Sequence, residues 1–209
     1  MRVILVGFPG SGKSSVGKKL AAKLGCDFVD LDDAFEEAYH VSIPDFFAKY
    51  SEPAFRSCER KVLLDKLQLE NVVISSGGGT PCFSDNMQRM KDNGFVVYIK
   101  MAPASLFDRL SHAKRPRPLV QNKTPEELRT FIDTNLPLRE TFYNQAHLTV
   151  KGESIDIEAL CEKIKTYIVS LANWYSPLER SETPLMRSIT PLEHVVRNSP
   201  LHFICTFAN

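Results

Sequence analysis

Gly7-Phe8-Pro9-Gly10-Ser11-Gly12-Lys13-Ser14 follows a short apolar run, Val3 to Val6, and leads into Val16, Leu20, Ala21 and Leu24 at helical spacing, with Gly25 as a stop. Strand, glycine-rich turn and helix in that order, with the spacing G-x-x-x-x-G-K-S, are the parts of a phosphate-binding loop. Its glycines let the backbone curl so that successive N–H groups face phosphate oxygens, aided by the positive end of the following helix. Lys13 supplies a point charge for the β- and γ-phosphates, and the Ser14 hydroxyl is suited to Mg²⁺. The bland alternative is a glycine turn that happens to precede Lys-Ser, and the flanking strand and helix weigh against it. The loop implies a bound nucleoside triphosphate and leaves the phosphate acceptor open.

Outward from the loop, strands and helices alternate. Asp27 to Asp30 reads as a strand, Ala34 to Tyr39 as a helix, Ile43 to Phe47 as a helical piece and Pro53 to Leu69 as a long amphipathic helix. Asn71 to Ser75 is a buried-type strand running into Gly77-Gly78-Gly79, followed by a helix over Asn86 to Lys91 and a strand over Phe95 to Ile99. After a helix at Pro103 to Leu110 comes a basic, proline-interrupted stretch, Lys114 to Lys123. Thr124-Pro125-Glu126-Glu127 combines an N-cap, a first-position proline and a third-position Glu, and opens a helix through Arg139 with a kink or break expected at Pro137. His147 to Val150 is the last strand and Ile155 to Ala172 the last helix. The pattern predicts an α/β protein: a parallel sheet of about five strands with helices on both faces. Ligands of such sheets sit at the carboxyl ends of the strands, which gathers Gly7–Ser14, Asp30–Asp32 and Ser75–Gly79 on one rim.

Composition sets the class without adding chemistry. Of 209 residues, 43% are hydrophobic and 24% charged, so a soluble globular chain is expected. A net charge of +1 gives no global reason for nucleic acid or a membrane surface as partner, so anion binding must come from local Arg and Lys. No apolar stretch reaches the roughly 18–20 residues of a membrane span. No leader is read before the first strand, and five scattered cysteines without a C-x-x-C pair suggest reduced thiols; a cytoplasmic protein is expected. The segment 176–209 has no Lys or Gly and repeats Ser/Thr-Pro-Leu four times, which reads as a mobile extension or, alternatively, a docking segment.

Phosphoryl transfer needs a metal, charge neutralisation and a positioned acceptor. Val72-Val73-Ile74-Ser75 ends in Ser where many nucleotide hydrolases carry a metal-binding Asp, and Asp30-Leu31-Asp32 can compensate. In an extended strand alternate residues share a face, so both carboxylates can point to the same rim, one holding a metal-bound water and the other touching an acceptor hydroxyl; the alternative is an N-cap for the helix starting near Ala34, a job for which Asp33 is better placed. Gly77–Gly79 either brings backbone N–H groups to a small ligand or is simply a turn. Arg56 near a helix start opposes the dipole there, which suggests a bound anion, and Arg139 near Tyr143 is a second candidate; each alone would pass as a surface charge.

Taken together these segments resemble shikimate kinase over about residues 1–175. The resemblance lies in Gly10-Ser11-Gly12-Lys13-Ser14-Ser15, Asp30-Leu31-Asp32, Ala54-Phe55-Arg56, Gly77-Gly78-Gly79, Arg117-Pro118-Leu119 and Arg139-Glu140-Thr141-Phe142-Tyr143, in matching order and spacing. It implies a nucleoside monophosphate kinase-like, P-loop NTPase three-layer fold with a lid at about 112–124. It implies phosphorylation of the 3-hydroxyl of shikimate with ATP and Mg²⁺ as cofactors; a monomer is expected. In the same terms Asp32 would meet the shikimate hydroxyls, Arg56 and Arg139 the carboxylate, and Gly77, Gly78 and Gly79 the pocket wall. Lys13 and a lid-borne Arg117 would act on the phosphates, Arg109 would lie against adenine, and Ser14 with Asp30 would serve Mg²⁺. Two departures stand out: Thr141 replaces a proline common in the family, and the extension beyond Tyr175 has no usual counterpart. A kinase of another polyol acid, and a nucleotide-dependent binding protein, are the competing readings.

Overall fold

The computed structural model describes residues 1–112 and 123–175, with side chains as far as Ser170. The basic stretch that carries Arg117 and the extension 176–209 lie outside the described residues. Five strands form one parallel sheet: β1 (Arg2–Val6), β2 (Asp27–Asp30), β3 (Val72–Ser75), β4 (Phe95–Lys100) and β5 (Leu148–Lys151), in the spatial order β2-β3-β1-β4-β5. The helices are α1 (Lys13–Leu24), α2 (Leu31–Tyr39), α3 (Ile43–Lys49), α4 (Glu52–Lys66), α5 (Asn86–Asn93), α6 (Pro103–Ser111), α7 (Pro125–Tyr143) and α8 (Ile157–Tyr175), with a 3₁₀ turn at Thr80–Cys82.

Strand alternation sorts the core into two layers. Val3, Leu5, Val73, Val97 and Ile99 pack against Leu20 and Ala21 of α1 and Leu160, Cys161 and Ile164 of α8. Ile4, Val6, Ile74, Val96 and Tyr98 face the other way, against side chains from α2 to α7. Because both faces are covered, β1, β3 and β4 are almost continuously apolar, as a parallel sheet requires. The central position of β1, between β3 and β4, sets the phosphate loop in the middle of the strand-end rim.

Two local expectations need correction. Of the kink or break expected at Pro137, the break does not occur: α7 continues to Tyr143. A proline deletes one N–H bond of the ladder, and here buried Leu136 and Tyr143 anchor the helix on both sides of that gap. The second concerns β2, which ends at Asp30, so that α2 begins at Leu31 rather than near Ala34. No helix among the described residues is long and apolar enough to cross a membrane.

Candidate active site

Beyond β1 the chain turns through Gly10 (φ 86°) and Gly12 (φ 91°), left-handed conformations that favour glycine, and enters α1 at Lys13. No side chain caps α1, so its first amides are left to face the loop's ligand. Lys13 is buried, and its ammonium donates to the carbonyls of Gly7 (2.9 Å) and Phe8 (3.2 Å), which holds the charge inside the loop. On the outer side, Arg109 of α6 donates to the Ser11 carbonyl at 3.3 Å. Its Nη1 also lies 3.0 Å from where a Cβ on Gly12 would stand, so the guanidinium covers the loop.

Ser14 Oγ donates to Asp30 Oδ2 at 2.5 Å and lies 3.4 Å from Ser75 Oγ. These oxygens suit a hard cation that keeps phosphate and water as its other ligands. Among the described residues no three His, Cys, Asp or Glu side chains converge as a metal cage.

Asp30 and Asp32 do not share a strand face. Asp30 is the last residue of β2 and the N-cap of α2, its Oδ1 accepting the Asp32 N–H at 3.0 Å, while Asp32 stands in the first helical turn. Capping falls to Asp30 rather than Asp33 because its extended backbone lets the carboxylate reach the amide two residues on. Both acids nonetheless border the same cavity, one at a strand end and the other on a helix.

That cavity has a volume of about 370 Å³. Gly10, Gly12, Lys13, Ser14 and Ser15 line the loop end; Arg56, Gly77, Gly78, Gly79 and Arg139 also line it, with Phe47 and Phe55 giving it an apolar wall. Arg56 is not the loosely held charge that its sequence position suggested. It is 9% exposed; its Nε (3.2 Å) and Nη2 (3.0 Å) donate to Glu52 Oε1, and its Nη1 donates to Glu59 Oε2 at 2.8 Å. Three of the five guanidinium N–H groups are thereby committed to protein, and two remain for an anion. The Phe83 ring, 4.2 Å from Cζ, covers one face of the guanidinium.

Arg139 comes from α7 and lies over the Phe8 ring (5.2 Å) and the Phe131 ring (5.9 Å). Its Nη1 is buried and finds no hydrogen-bond partner among the described residues, so it is able to donate to an anion in the cavity. Close approach explains the three glycines. A Cβ on Gly77 would stand 2.8 Å from Glu59 Oε1, one on Gly78 2.5 Å from Pro9 Cδ, and one on Gly79 2.8 Å from Arg56 Nη2. The bare backbone therefore lets α4, the phosphate loop and β3 meet, and the buried Tyr143 hydroxyl pins it by donating to the Gly78 carbonyl. Cys82 offers no nucleophile here, since burial pushes its thiol up to about 11 despite Arg139 and Arg56 nearby.

Glu59 and Thr80 escaped the sequence reading. The first was accessible through spacing, because Glu52, Arg56 and Glu59 stand at i, i+4 and i+7 on one helix face. Thr80 carried no such sign.

A family model described as shikimate kinase matches residues 9–169. A shikimate kinase of Azobacteroides pseudotrichonymphae is 45% identical over 164 residues, covering 78% of this chain and 96% of that protein. The crystal structure of shikimate kinase from Bacteroides thetaiotaomicron superimposes with a TM-score of 0.74 at 38% identity, covering 80% of this chain and 98% of that one. Shikimate kinase from Acinetobacter baumannii, solved in complex with shikimate, gives a TM-score of 0.70 at 32% identity, covering 81% and 93%.

Proposed function

The chain belongs to the shikimate kinase family and phosphorylates shikimate with ATP, and on that footing we propose how its own residues divide the work. The observation that carries the proposal is a single cavity lined by a phosphate loop, by Asp32 and by two arginines, Arg56 and Arg139. A polyol carboxylate matches that lining. The two uncommitted N–H groups of Arg56 and the orphaned Nη1 of Arg139 hold its carboxylate. Phe47 and Phe55 lie against the carbon ring, and Gly77 to Gly79 close the wall.

Asp32 accepts the proton of the 3-hydroxyl as that oxygen attacks the γ-phosphorus, which passes in line from ADP to the acceptor. Lys13 neutralises charge on the transferring group from within the loop, the amides at the start of α1 hold the phosphates, and Arg109 covers the adenine side. Ser14 and Asp30 would hold Mg²⁺, which would supply charge neutralisation to the nucleotide phosphates. Arg117 lies on the basic stretch outside the described residues and enters the proposal by its sequence alone, as an arginine that would neutralise charge on the transferring phosphoryl group, with a lid assigned at about 112–124. We include in the same proposal a kinase domain over residues 1–175 acting as a cytoplasmic monomer, without nucleic acid or membrane partner, and 176–209 as an appended extension.

Coupled ADP release, measured with and without shikimate, tests this reading. ADP production should depend on shikimate, and Asp32→Asn should lower kcat by about 10²–10⁴-fold with nucleotide binding retained. Full turnover by Asp32→Asn would remove Asp32 from the chemistry.

A further inference from the structure

We infer that Thr80 is a positioning residue for the carboxylate clamp, acting on Arg56 through Glu59 and itself held by Asn86 and Arg60. The inference rests on the reading that Arg56 holds the shikimate carboxylate. Thr80 is fully buried and is not part of the cavity wall, so any effect it has on shikimate must be transmitted.

The transmission is a chain of short contacts. Arg56 Nη1 donates to Glu59 Oε2 at 2.8 Å, while Thr80 Oγ1 donates to the other oxygen, Oε1, at 2.6 Å. Asn86 Nδ2 donates to the Thr80 carbonyl at 2.9 Å, and Arg60 Nη1 donates to Asn86 Oδ1 at 2.6 Å. Arg60 is anchored in turn by Asp85 at 2.5 Å. The hydrogen bond from Arg60 holds the Asp85 carboxyl down at about 2.

Two carboxylates compete for Arg56. Glu52 is 47% exposed at its side chain and draws the guanidinium outward, whereas Glu59 is 6% exposed and draws it inward. A carboxylate held by one oxygen still turns about its last torsion. A second donor on the other oxygen fixes its plane, and the planar fork of Arg56 takes its orientation from that plane. The Thr80 hydroxyl is that second donor, and it decides which way the clamp leans. Gly77 makes the contact possible, because a Cβ there would lie 2.7 Å from Thr80 Oγ1.

The test is steady-state kinetics on Thr80→Val, which keeps the side chain's size and removes the donor. The KM for shikimate should rise about tenfold, the worth of one hydrogen bond to a charged group. The KM for ATP and kcat should stay near their original values, and Thr80→Ser should restore shikimate binding. In an Arg56→Lys background Thr80→Val should have no further effect on shikimate KM, because the fork it orients is gone. If Thr80→Val does not fold, Asn86→Asp replaces it, since it keeps an acceptor for Arg60 and loses the donor to Thr80. An unchanged shikimate KM overturns the inference, as does a uniform loss in all constants that serine fails to rescue. Arg56→Lys alone separates the two levels. If it leaves shikimate KM unchanged, the clamp reading itself fails; if it raises KM while Thr80→Val is silent, only the positioning role fails.

Discussion

The phosphate loop takes its geometry from eight consecutive residues, whereas the acceptor end of the same cavity is assembled from α2, α4, the turn after β3, and α7. The loop end works through main chain: left-handed glycines, helix-start amides, and a lysine held by the loop's own carbonyls. The acceptor end works through side chains held by other side chains, as Arg56 is by Glu52 and Glu59, and Glu59 by Thr80. A backbone device is vulnerable to conformational strain, and a side-chain device to crowding and lost partners. Substitutions of the same chemical type should therefore fail differently at the two ends.

Glycine-to-alanine exchanges make that contrast largest. At Gly79 the backbone is right-handed (φ −93°), so alanine is tolerated by the chain, but its Cβ would meet Arg56 Nη2 at 2.8 Å. The guanidinium must shift from its bonds to Glu52 and Glu59, so stability should fall and kcat/KM for shikimate should drop by about a hundredfold through misplacement of the clamp, with the KM for ATP near its original value. At Gly10 (φ 86°) alanine strains the backbone itself by about 1–2 kcal/mol, and nucleotide affinity should weaken by about tenfold. Thermal melts alongside the kinetics of both variants check the pair. An equal rise in the KM for ATP in both would erase the distinction between the two ends.

Phe8 belongs to the loop by sequence and to the acceptor end by contact, since its ring lies 5.2 Å from Arg139 Cζ. Phe8→Leu keeps an apolar side chain and removes the π face. A loss of about 1 kcal/mol should raise the KM for shikimate about fivefold and leave the KM for ATP near its original value. A matching rise in the KM for ATP would show that the ends are coupled through the loop rather than separable.

The same contrast governs what could be read without coordinates. The phosphate loop, the alternation of strands and helices, and the six dispersed segments were visible because local rules, periodicity and spacing act within a few residues. The strand order β2-β3-β1-β4-β5 was not, since pairing is decided by long-range packing of near-identical apolar runs. Asp30 and Asp32 were assigned to one strand face because nothing in Asp-Leu-Asp-Asp says where extended backbone gives way to helix; the capping carboxylate of Asp30 makes that choice. Arg56 could pass for a surface charge because its burial depends on the glycine turn some twenty residues later, and on Thr80, whose part follows only from where β3 delivers it.

The smallest expected effect lies outside the cavity, and serves as a control on the comparison. His147 joins β4 to β5: its backbone N–H donates to the Val96 carbonyl, its Nδ1 accepts the Val96 N–H at 3.0 Å, and its ring stacks on Phe95 at 5.5 Å. Accepting that bond requires the neutral imidazole, and burial, followed by the charge of Lys91, lowers its pKa below the ordinary 6.5. The unfolded chain thus binds a proton that the folded chain refuses between pH 6.5 and the lowered value. Stability contributed by neutral His147 is complete above about 6.5 and is lost as pH falls through that window. His147→Phe keeps a ring over Phe95 but neither titrates nor accepts. The melting-temperature gap between wild type and His147→Phe should be wider at pH 8 than at pH 5, with both KM values unmoved at pH 8. A change in either KM would mean that the sheet edge reaches the site, and that the two ends are not the only determinants of its geometry.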